Sequence, residues 1–328
     1  MATSHSTPPT PGANEVRHRF QVLALDGGGV RGLFSAAILA RLEEDLHTRL
    51  LDHFDLVVGT STGGLTAVGL GAGMSPQDIV NLYTEMGTTV FPWRPVGGVR
   101  RLLRSKYSPE PLRAALEQHL GDMRLEQSSV NLLVTAYDLT SDTIHLFKTP
   151  HNPTLYRDGR VRMVDVALAT SAAPTYFPAH VVDGARLVDG GIVANNPAVI
   201  GIAEAVSMFG RTLDDVHVLS IGTTSDVRHR AKRLDRGGVL QWCSAASDVL
   251  LRGQSRSANG LAIHFIGNRL HRIDQDVPQG VLKMDRIDRE QLHGRAAHVS
   301  REHCHEVGRR FLPHTAARVQ PRVSAHEG

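Results

Sequence analysis

Short apolar runs alternate with longer stretches of helical spacing along most of this chain. Residues 22–25, 54–58, 130–137 and 216–221 are rich in Val and Leu and are bounded by Gly, Asp or Asn, the pattern of strands buried on both faces. Between the first two runs, Ile38, Leu39, Leu42, Leu46 and Leu50 share one helical face and predict a helix over residues 33–51. Ser75-Pro76 predicts a helix start running through Met86, and Ser108-Pro109 another running through Leu120, each with serine as N-cap and proline at the first position. Further helices are expected over 161–170, 197–209, 238–252 and 289–311. Residues 143–147 are expected to return beside 130–137 through a turn at 139–142. Residues 181–182 and 186–188 read as short strands around Asp183-Gly184, and 262–266 with 269–273 as a hairpin. Strands alternating with helices predict an α/β fold, a mainly parallel central sheet flanked by helices, with its site at strand ends. One domain over 20–313 is expected, after a Ser/Thr/Pro-rich leader at 1–19 and before a polar tail at 314–328.

Chemistry concentrates at the turns after these strands. Gly59-Thr60-Ser61-Thr62-Gly63 lies between an apolar run and a small-residue helical stretch, which is the setting of a nucleophile elbow. The glycines permit a sharp turn, and the helix that follows directs its N-terminal amides and positive dipole end at the serine. An ordinary turn with a helix N-cap is the plainer reading of this pentapeptide. Asp26-Gly27-Gly28-Gly29-Val30-Arg31-Gly32 follows the first strand. Three consecutive glycines leave backbone amides uncovered, able to donate to an oxyanion, where each well-aimed donor is worth about 10²–10³ in rate. Leu187-Val188-Asp189-Gly190-Gly191 supplies a carboxylate at a strand end able to take the proton that Ser61 must lose. Gly27, Gly29 and Gly32 also satisfy a dinucleotide-binding fingerprint. That rival needs an acidic residue past the end of the next strand, where Gly59-Thr60-Ser61 stands instead; Asp55 lies inside that strand.

Four blocks in this order resemble the patatin-like phospholipases: residues 26–32, residues 59–63, Thr170-Ser171-Ala172-Ala173-Pro174-Thr175-Tyr176-Phe177-Pro178, and Asp189-Gly190-Gly191 with Asn195-Asn196-Pro197. The resemblance spans roughly residues 21–223 and implies a three-layer patatin-like fold and a lipid acyl hydrolase with a Ser-Asp dyad and no catalytic histidine. By motif match, Ser61 is the nucleophile and Asp189 the base. The oxyanion donors are the amides of Gly27, Gly28 and Gly29, joined by Thr62. Arg31 also matches the motif and could bind a phosphate, add field to the oxyanion site, or pair with an acid. Phe147-Lys148-Thr149-Pro150, with the 170–178 block, resembles a bacterial subgroup that includes phospholipases of antiphage systems switched on by cyclic dinucleotides. Membrane phospholipid as substrate, a cyclic dinucleotide activator and a homo-oligomeric assembly are what that resemblance implies. A lipid- or nucleotide-binding module that keeps the fold without turnover is the alternative.

Composition narrows the setting. The chain has 328 residues, 41% hydrophobic and 21% charged, with a formal net charge of +3; that charge is too mild to call for a DNA or RNA polymer as partner. Cys243 and Cys304 stand far apart without metal spacing, as expected in a reducing cytosol. No apolar run reaches the ~20 residues of a membrane span, and the leader lacks the apolar core of a secretory signal. A cytoplasmic protein that meets the inner membrane surface from the water side is expected. Neither cofactor nor metal is expected. His298, His303 and His305 cluster near Cys304, but two-residue spacing does not share a helix face. His180 and His217 are the alternatives for a Ser-His-Asp triad. Residues 94–106 interleave basic and apolar side chains beside Trp93, a composition suited to an anionic bilayer. This stretch is expected either to cap the serine pocket and touch membrane through Trp93, Arg100, Arg101 and Arg104, or to be a mobile basic loop. A second basic run, 228–233, reads as a solvated loop or as facing a phosphorylated ligand.

Overall fold

The computed structural model describes residues 19–89, 105–226, 234–238, 242, 245–277 and 289–319. The leader at 1–18, Trp93, Arg100, Arg101, Arg104, the basic run 228–233, Cys243 and the end of the tail lie outside the described residues.

The first strand shows why the chain layers as it does. β1 (Phe20–Leu25) is buried along its whole length, and its side chains alternate between two cores. Leu23 and Leu25 enter one apolar cluster, while Phe20, Val22 and Ala24 enter another on the opposite face. β2 (Leu56–Thr60) repeats the division, with Val57 in the first cluster and Leu56 and Val58 in the second. A period of two with both faces apolar requires cover on both sides. The first face is covered by α1 (Gly32–Leu46), α2 (Thr62–Gly71), α3 (Pro76–Thr89), α4 (Glu110–Leu120) and α5 (Met163–Thr170). The second is covered by α7 (Ala198–Ser207), which follows the short α6 (Gly191–Ala194), and by α8 (Ala246–Ile266). The long α9 (Arg289–Phe311) packs on α1.

The sheet is parallel at its centre and antiparallel toward one edge. With β3 (Leu132–Asp138), β4 (Thr143–Lys148), β5 (His180–Val182), β6 (Ala185–Asp189), β7 (Val216–Ile221) and β9 (Leu270–Ile273), the order is β5-β6-β3-β2-β1-β7-β9, and β4 also pairs with β3. Short β8 (Ser225–Asp226) and β10 (Asp276–Val277) pair separately. Register brings the strand ends level. Leu25 lies between Gly59 and Ile221, and Thr60 lies beside Thr135. Antiparallel β6 comes in from beyond this edge and stops with Asp189 beside Ala136. Asp26, Ser61, Asp189 and Thr223 therefore emerge at one edge of the sheet.

Several elements differ from the periodicity reading. The first helix ends at Leu46, where His47 adopts φ 50° and closes it; Leu50–His53 is a separate 3₁₀ turn. The expected hairpin over 262–273 is absent. Residues 262–266 are the last turn of α8, and β9 pairs parallel with β7 instead. Ala262 and Ile266, read as alternating strand positions, are four apart and are the buried pair of a helix face. α8 runs from Ala246 past the expected end at residue 252 to Ile266; residues 239–241 and 243–244 of the expected helix lie outside the described residues. The tail docks at its start: His314 Nε2 lies 2.7 Å from Asp55 Oδ2, and the Ala316 amide donates to Asp52 O at 2.8 Å.

α7 reaches the sheet through a glycine. A Cβ at Gly201 would lie 2.7 Å from Val22 Cγ1 and 3.0 Å from Val58 Cγ2, so the helix sits closer than any side chain allows. Gly201→Val is expected to lower stability by about 1–3 kcal/mol through overpacking, read as a reduced urea midpoint with unchanged slope. An unchanged midpoint would mean that this helix–sheet contact tolerates separation.

Candidate active site

The turn from β2 into α2 holds Ser61 in a conformation that a non-glycine residue avoids, φ 55° and ψ −123°. Three contacts hold it there. The Ser61 amide donates to Thr170 Oγ1 at 2.8 Å. The Leu65 amide donates to Ser61 O at 2.9 Å and starts the helix. The Tyr83 hydroxyl donates to Thr62 O at 2.6 Å. Gly63 must lack a side chain, because a Cβ there would stand 2.2 Å from Leu25 O; β1 and the new helix touch backbone to backbone. Backbone strain of this kind costs on the order of 1–3 kcal/mol and persists where the surroundings over-determine it.

Asp189 meets that serine across the sheet. Ser61 Oγ donates to Asp189 Oδ2 at 2.6 Å, and Asp189 Oδ1 accepts the Gly191 amide at 2.7 Å. Burial raises the Asp189 carboxyl to about pH 6, opposed in part by these two hydrogen bonds. The Thr-Ser-Ala-Ala-Pro block braces both partners at once: Thr170 holds Ser61, and Ala172 O accepts the Asp189 amide at 3.0 Å.

The glycine loop lies over the same spot. A Cβ on Gly28 would meet Thr223 Oγ1 at 2.1 Å, so the loop is pressed onto the turn after β7. The Gly27 amide donates to Asn195 O at 2.9 Å. That bond corrects its assignment as an oxyanion donor, because the amide is committed to holding the loop. The Gly28 amide reaches Thr62 Oγ1 at a long 3.2 Å. Thr62, as the first residue of α2, has no intrahelical acceptor for its amide. Arg31 donates from Nε to Gly28 O at 3.3 Å and from Nη1 to Thr224 O at 3.1 Å, so it braces the glycine loop against the β7 turn, a role outside the three expected of it.

A family model described as patatin-like phospholipase matches residues 23–202. The chain belongs to the patatin-like phospholipase family. Curated relatives agree. A Pseudomonas aeruginosa protein named cGAMP-activated phospholipase is 36% identical over 280 residues, covering 82% of this chain and 83% of its own. Proteins of the same name from Vibrio cholerae, 36% identical over 246 residues and 67% of this chain, and from Escherichia coli, 38% identical over 224 residues, are also similar; this chain spans 68% and 63% of their lengths respectively.

In this patatin-like chain the loop is anchored by a buried ion pair that the motifs do not contain. Arg272 on β9 donates from Nη1 to Asp26 Oδ1 at 2.8 Å and from Nη2 to Asp26 Oδ2 at 2.6 Å. It also reaches Ser220 Oγ at 2.6 Å and Asp274 Oδ2 at 2.7 Å. Burial pushes the Asp26 carboxyl up while the guanidinium pulls it down; burial likewise opposes the charge on Arg272, but Asp26 and Asp274 raise its pKa well above the ordinary value. Nothing near Arg272 in the sequence signals this, since its partner lies at the other end of the chain.

Ser61 and Asp189 open into a cavity of about 890 Å³. One wall, from α2, α3, α4 and the segment after α5, is apolar: Leu65, Tyr83, Met86, Leu112 and Phe177. The other, from α8 and the β7 turn, is largely polar and includes Arg252, Arg256, Asn259 and Thr224. The triad alternatives do not line it. His180 Nε2 lies 3.0 Å from Asp165, and His217, whose pKa burial and neighbouring cations depress to about 4, sits near the start of β7, at the far end of that strand from the site. Among the described residues no three His, Cys, Asp or Glu side chains gather as metal ligands, and no helix is long and apolar enough to cross a membrane.

Two stability outcomes test these contacts. Because the folded state holds a proton on Asp189 up to about pH 6, against an ordinary carboxyl value near 4, stability is lost as pH rises between those values. Asp189→Asn is therefore expected to be more stable than wild type by about 2–3 kcal/mol above pH 6, with the gap closing below pH ~4. Denaturant melts at pH 8 and pH 4 check this; equal gaps at both would contradict it. Arg272→Met leaves Asp26 buried and unpaired and is expected to cost about 3–5 kcal/mol; a loss under ~1 kcal/mol would show that Asp26 is carried by other groups.

Proposed function

We propose that this chain is a phospholipase A-type lipid acyl hydrolase working through Ser61 and Asp189, switched on by a cyclic dinucleotide of the cGAMP type. The observation that carries the reading is the 2.6 Å contact from Ser61 Oγ to Asp189 Oδ2 on a strained elbow facing a partly apolar cavity. A carboxylate that titrates near neutrality is poised to accept a serine proton and return it.

The cycle follows from the placement. The Ser61 oxygen attacks the ester carbonyl of a phospholipid as its proton passes to Asp189 Oδ2. Negative charge develops on the carbonyl oxygen, where the amides of Gly28, Gly29 and Thr62, together with the positive end of α2, stabilise it. Collapse expels the glycerol oxygen, which takes the proton from Asp189 and leaves as lysophospholipid. Water then attacks the acyl-serine while Asp189 takes its proton. The fatty acid departs and the proton returns to Ser61. The apolar wall accepts the acyl chain. No histidine is required, because the strained turn sets the hydroxyl directly against the carboxylate. Access to lipid is peripheral, from the cytoplasmic side of the inner membrane, with Trp93, Arg100, Arg101 and Arg104 as expected membrane contacts. In such an effector, lipid hydrolysis would serve defence against phage, and assembly into a homo-oligomer would accompany activation.

Hydrolysis of mixed phospholipid vesicles, read by mass spectrometry with and without cGAMP, tests the proposal. Wild type is expected to release fatty acid in the presence of the nucleotide. Ser61→Ala and Asp189→Ala are expected to lose at least 10³-fold, with circular dichroism unchanged. Near-normal activity in either variant removes the dyad. Failure of a fluorophosphonate probe to label Ser61 under every activated condition would favour the non-catalytic binding module. The kcat/KM profile is expected to fall on the acid side near pH 6, where Asp189 gains its proton; a limb at pH 4 or below would mean that the base titrates as an exposed carboxylate.

A further inference from the structure

We propose that the mouth of the cavity is a membrane-docking ring. Ile192, Leu250 and Leu251 on one side, and Lys106, Tyr107 and Tyr176 on the other, seat on a phospholipid bilayer and hold the opening above Ser61 against it. This rests on the lipid hydrolase reading and names the surface through which that cavity meets its substrate.

A side chain that lines the cavity and is also exposed stands at its mouth. Among the described residues Pro174, Ile192, Leu250 and Leu251 are the apolar ones that do so. Ile192 is 45% exposed, Leu250 71% and Leu251 38%. A single exposed leucine is ordinary on a protein surface, but a contiguous apolar group at the opening of a cavity marks an interaction site. The group is contiguous here: a Cβ at Gly191 would stand 3.7 Å from Leu251 Cδ2, so Leu251 lies against the start of α6, beside Ile192. Two carboxylates of the lining near this opening are compensated. Asp274 bonds Arg272 at 2.7 Å and Asp248 pairs with Arg252 at 3.1 Å, so neither stands as a free charge against lipid phosphate.

The opposite side is a strained turn. The Tyr176 amide donates to Ala173 O at 3.0 Å, and Thr175 within the turn holds φ 72°, an outlier for a β-branched residue. Such strain persists where neighbours over-determine it. Here the Lys106 amide donates to Thr175 O at 2.9 Å and the Tyr107 amide to Tyr176 O at 2.8 Å. The rings of Tyr107 and Tyr176 stack with centroids 6.3 Å apart, and Lys106 Nζ lies 4.8 Å and 5.7 Å from those centroids. A lysine over tyrosine faces is a cation–π contact. Both residue types have an apolar body and a polar tip, which suits the headgroup level of a bilayer. Lys106 also closes the basic stretch 94–106, so this side continues into the residues expected to touch membrane.

The cavity beneath decides the occupant. A protein seated on the ring would close the way to Ser61, whereas a bilayer delivers an acyl chain through it. The leucines and Ile192 would enter the acyl boundary while Lys106 stays with the phosphates.

Cosedimentation of the full chain carrying Ser61→Ala with phosphatidylethanolamine–phosphatidylglycerol vesicles, with and without cGAMP, tests the ring. Leu250→Gln/Leu251→Gln, both at exposed positions, is expected to weaken partitioning at least about tenfold with circular dichroism unchanged, and Leu250→Phe/Leu251→Phe to retain it. Lys106→Glu is expected to weaken partitioning at least about fivefold on these vesicles and less on phosphatidylcholine, the difference shrinking in about 0.5 M salt. With Ser61 intact, the double glutamine variant is expected to lose a similar factor in vesicle hydrolysis. Its kcat/KM on p-nitrophenyl butyrate, a water-soluble ester, is expected to stay within about twofold. Equal partitioning of the double glutamine variant and its parent, or a parent that binds no vesicle in either condition, overturns the ring; hydrolysis of the soluble ester would still leave the hydrolase reading standing. Loss of vesicle binding in the glutamine variant, with no ester of any kind hydrolysed by the unsubstituted chain, removes the hydrolase reading alone. A drop in sedimentation mass on glutamine substitution, with vesicle binding unchanged, assigns the leucines to a second copy of this chain and overturns the membrane assignment.

Discussion

A single buried carboxylate governs this structure. Among the described residues Asp189 bonds a serine hydroxyl and one backbone amide and has no cation beside it. Burial with so little compensation raises its pKa and makes it expensive to hold. Everything around it serves to keep it 2.6 Å from Ser61: the antiparallel strand that ends level with β2, the short α6 that begins two residues later, and the alanine carbonyl that receives its amide. A histidine-bearing triad spreads the same demand over three groups. In the proposed mechanism two must suffice, so placement carries more of the burden than electrostatics.

The architecture was largely legible because the strands at the centre of the sheet are apolar on both faces and because glycine appears where backbones must touch. The strand, turn and helix around Ser61 could be read directly, and so could the carboxylate at the end of β6. What periodicity misread is equally physical. Residues 262–266 alternate like a strand and yet end a helix, since Ala262 and Ile266 satisfy both periods over so short a window. The 170–178 and 195–197 blocks were visible as motifs, but their work, through Thr170 Oγ1, Ala172 O and Asn195 O, is done by atoms that no side-chain pattern displays. Gly27 was misassigned for the same reason: three adjacent glycines look alike in sequence, and only the fold shows which amide is spent on Asn195.

The two walls of the cavity differ in origin. The apolar wall belongs to the same core that covers one face of the sheet, so the proposed acyl pocket is an opening in that core. The polar wall belongs to α8, which contacts the catalytic turns through Gln254 and Ser255. Any shift of α8 would move Asn195 and Asp26 together, and with them both the Gly27 amide and the root of the glycine loop.

The ion pair between Asp26 and Arg272 joins residues 246 positions apart in the chain. During synthesis, the glycine loop, the elbow and the Asp189 strand all leave the ribosome before β9 exists. Until that strand docks, Asp26 has no guanidinium to compensate its burial, and the outer edge of β7 is bare. The counter-charge that holds the root of the glycine loop is thus among the last contacts the chain can form.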